Sequence, residues 1–119
     1  MISLNDPSLL KTDAFINGKF TSAQSDKRFS VTNPANGDVI AEVADFGADG
    51  IAAAIEAAEA ARHAWAARTA KDRAGILRRW YDLCIEHADD LATILTAEMG
   101  KPLAEAKGEI LYGSSFIEW

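Results

Sequence analysis

Gly47 divides the chain into two regimes of hydrophobic spacing, and that division limits what it can fold into. Before it, apolar residues come in short runs cut by turn-forming residues. After it, they recur at close to 3.6 residues. Within Ala14–Phe20 the dipeptide Asn17-Gly18 sits between apolar residues, and both members tolerate positive φ, the strongest short hairpin signal. Thr21–Lys27 is polar and reads as exposed loop. Arg28–Thr32 alternates polar and apolar as a half-buried strand does. Asn33–Gly37 has the proline, asparagine and glycine of a turn, and Asp38–Val43 reads as a further strand. No helical pattern separates these strands, so they are predicted to pair antiparallel rather than through the crossovers of a parallel sheet.

From Ile51 onward the pattern is helical. Ile51, Ile55, Ala58 and Trp65 keep the 3.6-residue period on an alanine-rich background, with Asp49 placed as N-cap. Glu59 stands three residues before Arg62 and four before His63, which supports an exposed face. Thr69 followed by Asp72 resembles a capping box. Ile76, Leu77, Trp80, Tyr81 and Cys84 form one apolar stripe; Leu91, Ile94, Leu95 and Met99 form another. A break is predicted between them, over Glu86–Asp90, with Asp89 as the new cap, because one helix of about thirty residues is long for a small domain. Pro102 opens a last helix carrying Leu103, Ala106, Ile110, Leu111 and Ile117. It reaches Trp119 without a glycine C-cap or a closing cation, and reads as cut in mid-helix. The expected fold class is α+β, with an antiparallel hairpin and strands in 1–45 and three to four helices in 47–119. Its 119 residues suffice for one small domain.

Charge and composition narrow the function classes. Net charge is −6, with 12 basic residues scattered among 18 acidic ones. Nucleic acids and anionic membranes require cations gathered on one face, and Arg73, Arg78 and Arg79 do not form a stripe. Cys84 is the only cysteine, so no internal disulfide forms. The N-terminus lacks a basic segment followed by an apolar run, and no apolar stretch approaches the roughly 20 residues of a membrane span. A soluble, cytoplasmic setting is expected.

Self-contained chemistry is sparse. Gly100-Lys101 lacks a phosphate loop's surroundings: Leu95 and Pro102 stand where that loop needs glycine and serine or threonine. It fits a helix–helix corner better, with glycine in the left-handed conformation and proline opening the next helix. Glu98, Glu105 and Glu109 have no histidine, serine or cysteine nearby, and read as a solvated face. Cys84 lies on an apolar stripe late in its helix and reads as a buried, inert packing residue. His63 and His87 are isolated, and no Gly-x-Gly-x-x-Gly occurs.

The segments FINGKF, VTNPANGDVIAEV, an alanine-rich helix ending HAW, and EMGKPLAEAKGEI occur in an order that resembles the N-terminus of NAD(P)-dependent aldehyde dehydrogenases. The resemblance runs over essentially the whole chain. The stretch LTAEMGKPLAEAKGEILYGSSFIEW is most similar to the succinate-semialdehyde branch, whose near neighbours act on glutarate semialdehyde. It implies a Rossmann-like fold, with residues 1–119 forming the N-terminal part of the cofactor-binding domain of a chain roughly four times as long. The family's reaction is implied with it: a cysteine attacks the aldehyde, hydride passes to NAD or NADP, and water hydrolyses the thioester. The nucleophile, general base and cofactor cradle are expected beyond Trp119, and Cys84 does not stand in the nucleophile motif. No catalytic or cofactor-binding residue is therefore expected in this chain.

Two further assignments follow from the resemblance. A structural cation maps to backbone oxygens at Val31 and Thr32 and to the Glu98 side chain. Tyr112 and Phe116 map near the substrate tunnel, with core packing as the competing role. The implied partners are the rest of the parent polypeptide, a small aldehyde substrate and further copies in a homo-oligomer. The alternative is a free-standing helical interaction module without catalysis, docking through its last helix.

Overall fold

The computed structural model describes residues 2–119. Two antiparallel strand pairs precede four helices: β1 (Ala14–Ile16) with β2 (Lys19–Thr21), β3 (Arg28–Thr32) with β4 (Val39–Ala44), then α1 (Ala48–Ala66), α2 (Ala70–Glu86), α3 (Ala88–Met99) and α4 (Leu103–Glu118). The first hairpin turns at Asn17 (φ 50) and Gly18 (φ 76), as that dipeptide predicts. Thr21, expected in the loop, instead pairs with Ala14. In the second hairpin Val31 faces Ala41 while Thr32 faces Val39, so Ile40 is the extra residue of a bulge. Its turn is closed by the Gly37 N–H donating to the Asn33 carbonyl (2.8 Å).

Arg28 ties the two hairpins together. Its guanidinium donates to the Glu42 carbonyl (2.8 Å), the Thr12 carbonyl and the Asp13 carboxylate. The Ala44 N–H reaches the same Thr12 carbonyl (2.9 Å), which anchors the chain ahead of β1 on the end of β4.

Helix boundaries follow local chemistry, with two corrections. Asp49 does not cap α1: the helix starts at Ala48 with extended Gly47 as its N-cap, so Asp49 falls in the first turn. Its charge still complements the amide end of the helix there. Asp89 does not cap α3, because the chain passes from α2 to α3 through the single residue His87. With no extended residue at the joint, Asp89 lies in the first turn, where it pairs with Lys107 of α4. Thr69 caps α2 as expected, its hydroxyl accepting from the Asp72 N–H (3.1 Å), but the Asp72 carboxylate accepts from that hydroxyl, not from the Thr69 N–H of a full capping box.

The best-buried seam lies between α3 and α4 and is made of small residues. Ala88 and Ala92 of α3 and Ala106 and Ser114 of α4 are buried, with Ala92 and Ala106 fully so. Spacings of four and eight place each pair on one helix face, and side chains this small let the backbones approach closely. The Ser114 hydroxyl is satisfied within its own helix by the Ile110 carbonyl (2.7 Å). α2 packs on α4, whereas α1 has no substantial packing partner among the described elements.

Candidate functional site

The α3–α4 corner carries the Gly100-Lys101 pair. Gly100 is left-handed (φ 78, ψ 8), and its N–H donates to the Thr96 carbonyl (2.9 Å). The Lys101 ammonium pairs with Glu109 one turn into α4. With its amide and its cation both engaged, this corner does not fit a nucleotide phosphate, which needs free N–H groups and a free lysine. Glu105 and Glu109 are exposed, as a solvated face requires.

The strand end and the helix end named in the cation assignment are brought together. A Cβ built on Gly100 would lie 3.0 Å from Cγ of Pro34, so the turn that follows Val31 and Thr32 rests against the corner that follows Glu98. Glu98 is exposed and forms no ion pair among the described residues. The bulge between Val31 and Thr32 interrupts the regular ladder beside those two backbone oxygens. Among the described residues no group of three or more His, Cys, Asp or Glu side chains is placed to hold a metal ion.

Tyr112 and Phe116 sit one turn apart on α4 and meet edge to face, ring centroids 4.9 Å apart. They are 67% and 64% exposed, so they do not pack in the core of this chain. Cys84, expected to be buried, is only half-buried. Its stripe opens on Ile76, Leu77 and Trp80, which remain exposed because α4 covers only one flank of α2. Arg78 reaches Glu118 near the end of α4 (2.9 Å), which holds that guanidinium above its ordinary value.

Sequence reasoning missed Asp90. Its residue is 5% exposed, and its carboxylate accepts from the Asn5 N–H (2.9 Å), the Asn5 side-chain amide (3.0 Å) and the Asp6 N–H (2.8 Å). The two backbone donors hold its carboxyl below the ordinary aspartate value. Nothing in the local pattern separates Asp90 from exposed Asp89, since its partners lie 84 and 85 residues upstream.

A profile of the aldehyde dehydrogenase family matches residues 20–119. The chain belongs to the aldehyde dehydrogenase family. Within that family it is 55% identical over 118 residues to the NADP(+) succinate-semialdehyde dehydrogenase GabD of Escherichia coli, covering 99% of this chain and 24% of the relative. Glutarate-semialdehyde dehydrogenase of Pseudomonas putida is 52% identical over 118 residues, covering 99% of this chain and 25% of the relative. The crystal structure of succinate-semialdehyde dehydrogenase from Burkholderia pseudomallei superposes with a TM-score of 0.96 at 57% identity, over 98% of this chain and 24% of that one. The chain thus spans about a quarter of the length of the relatives it matches. The antiparallel strand pairs and four helices are shared with solved structures of the family. No helix among the described residues is long and apolar enough to cross a membrane.

Proposed function

We propose that residues 1–119 are the N-terminal part of the cofactor-binding domain of a dehydrogenase that oxidises a short semialdehyde to the carboxylic acid with NAD or NADP. The observation that carries this reading is the 55% identity to a succinate-semialdehyde dehydrogenase along nearly the whole chain. The substrates named for the two curated relatives, succinate semialdehyde and glutarate semialdehyde, are each a short aldehyde ending in a carboxylate. That chemistry defines the proposed substrate class. The reacting thiol and the cofactor cradle lie in the remaining polypeptide, and this chain contributes scaffold. The alternative of a free-standing interaction module gains no support from the family match.

Two finer roles belong to the same proposal. Val31 and Thr32 backbone oxygens with the Glu98 carboxylate hold a structural cation, a reading supported by the contact of Pro34 with Gly100 and by the unpaired Glu98. Tyr112 and Phe116 face the substrate path, a reading supported by their exposure on α4. The intact enzyme is proposed to be a homo-oligomer of the cytoplasm.

The test compares two purified proteins, residues 1–119 and the full polypeptide, with succinate or glutarate semialdehyde and either nucleotide. The expected result is turnover by the full polypeptide and none by residues 1–119. Turnover by the short chain that survives Cys84→Ala and repurification overturns the assignment, as does a folded full polypeptide inert toward both semialdehydes.

A further inference from the structure

The residues ahead of β1 form an arm that touches both layers. Its Ile2 lines a cleft with Asn33, Thr96 and Leu103, and its Leu10 lines another with Ile40. Pro7–Leu9 is a single 3-10 turn, capped by the Asp6 carboxylate accepting from the Ser8 N–H (2.9 Å). At its far end the Thr12 carbonyl accepts from Ala44 at the end of β4. Direct packing of β3 and β4 on the helices is slight. The arm is therefore a main physical link between hairpin and helices, and among the described residues its side-chain bonds to the helices all run to Asp90.

We propose that Asp90 is a latch that seats this arm between the helical layer and the β3–β4 hairpin, and that opening the latch releases the arm as a unit. Three donors converge on one carboxylate, and bonds to a charged acceptor are the strong kind. Without that acceptor the Asn5 and Asp6 amides have no other partner among the described residues and turn to water. The Thr96 hydroxyl, in the cleft wall shared with Ile2, is buried with no hydrogen-bond partner among the described residues.

The latch is sensitive to charge. Its titratable neighbours are Asp6 on the arm, itself held low by Ser8, and His87 at the start of α3, whose positive form favours the Asp90 carboxylate. Asp89 is turned away to Lys107. The folded-state value of Asp90 is lowered, so the ionised latch stabilises the fold above the ordinary carboxylate range. That contribution is lost as pH falls through the lowered value.

The experiment is site-resolved hydrogen exchange on the full polypeptide, wild type against Asp90→Ala, with Asp90→Glu as rescue. Bonds to a charged acceptor are stronger than neutral ones, so the Asn5 and Asp6 amides should lose protection at least about tenfold in Asp90→Ala. The Leu9, Leu10 and Ala44 amides should follow, while those of Ala106–Ser114 stay unchanged. Partial recovery is expected in Asp90→Glu. Unchanged protection at Asn5 and Asp6 overturns the latch, and so does an equal loss across α3 and α4, which would mean a general loss of stability. Should Asp90→Ala not fold, Asn5→Ala removes one donor and should loosen the same amides to a smaller degree. Acidification of the wild type should shift the Asn5 and Asp6 amide resonances before the helices melt; simultaneous change overturns the proposal.

Discussion

Single residues set the corners of this chain, and Gly100 is the most constrained of them. Its φ of 78 lies in the left-handed region, and a Cβ there would stand 3.0 Å from Pro34 Cγ. Gly100→Ala is expected to lower stability by about 1–2 kcal/mol from the backbone conformation alone, measured by urea unfolding. Gly100→Asn should lose less, because asparagine tolerates that conformation while introducing the same Cβ. Equal losses in both variants would place the cost in the Pro34 contact instead. This corner was legible in the sequence because glycine between an apolar stripe and a proline has one physical use. The turns at Asn17-Gly18 and Gly37 were legible for the same reason. Asp26, also at positive φ (50), gave no such signal, because aspartate serves many other roles. Asp90 was illegible for a different cause: its partners are distant, and sequence spacing reports only neighbours along one element.

At the scale of elements, the Thr69 cap of α2 offers a clean measurement. The Thr69 hydroxyl accepts from the Asp72 N–H and donates to the Asp72 carboxylate (2.7 Å). Thr69→Ala is expected to cost about 1 kcal/mol, and Thr69→Ser should retain most of it. No difference between the two variants in thermal unfolding would show that α2 draws nothing from its cap. Both hairpins, all four helices and the break near His87 were readable from period and turn chemistry. Which faces would be covered was not. The stripes of bulky residues on α1 and α2 predicted a core, yet Ile51, Ile55, Ile76 and Trp80 stand exposed, while the buried seam consists of alanines and a serine. Periodicity identifies an apolar face; it does not say which element packs on it.

The whole molecule carries more surface than its mass accounts for. A folded monomer of 12.8 kDa exposes roughly 6,300 Å², whereas this chain exposes 8492 Å². Its radius of gyration, 16.6 Å, exceeds the roughly 13.5 Å of a compact chain of this length, and its extents of 48 × 36 × 19 Å describe a slab. The excess of about 2,200 Å² is larger than one partner's share of a standard protein interface, about 800 Å². Exposed Ile51, Ile55, Trp80, Tyr112 and Phe116 give that surface an apolar character, and patches of this kind associate in water. Under the proposed function, the remaining three-quarters of the polypeptide covers this surface. Residues 1–119 in isolation are therefore expected to self-associate at micromolar concentration and to bind an apolar dye. The full polypeptide should bind far less dye per residue. Light scattering that returns a monodisperse 12.8 kDa monomer, free of dye, would mean that these faces need no cover. The slab would then be a complete fold rather than one side of a larger core.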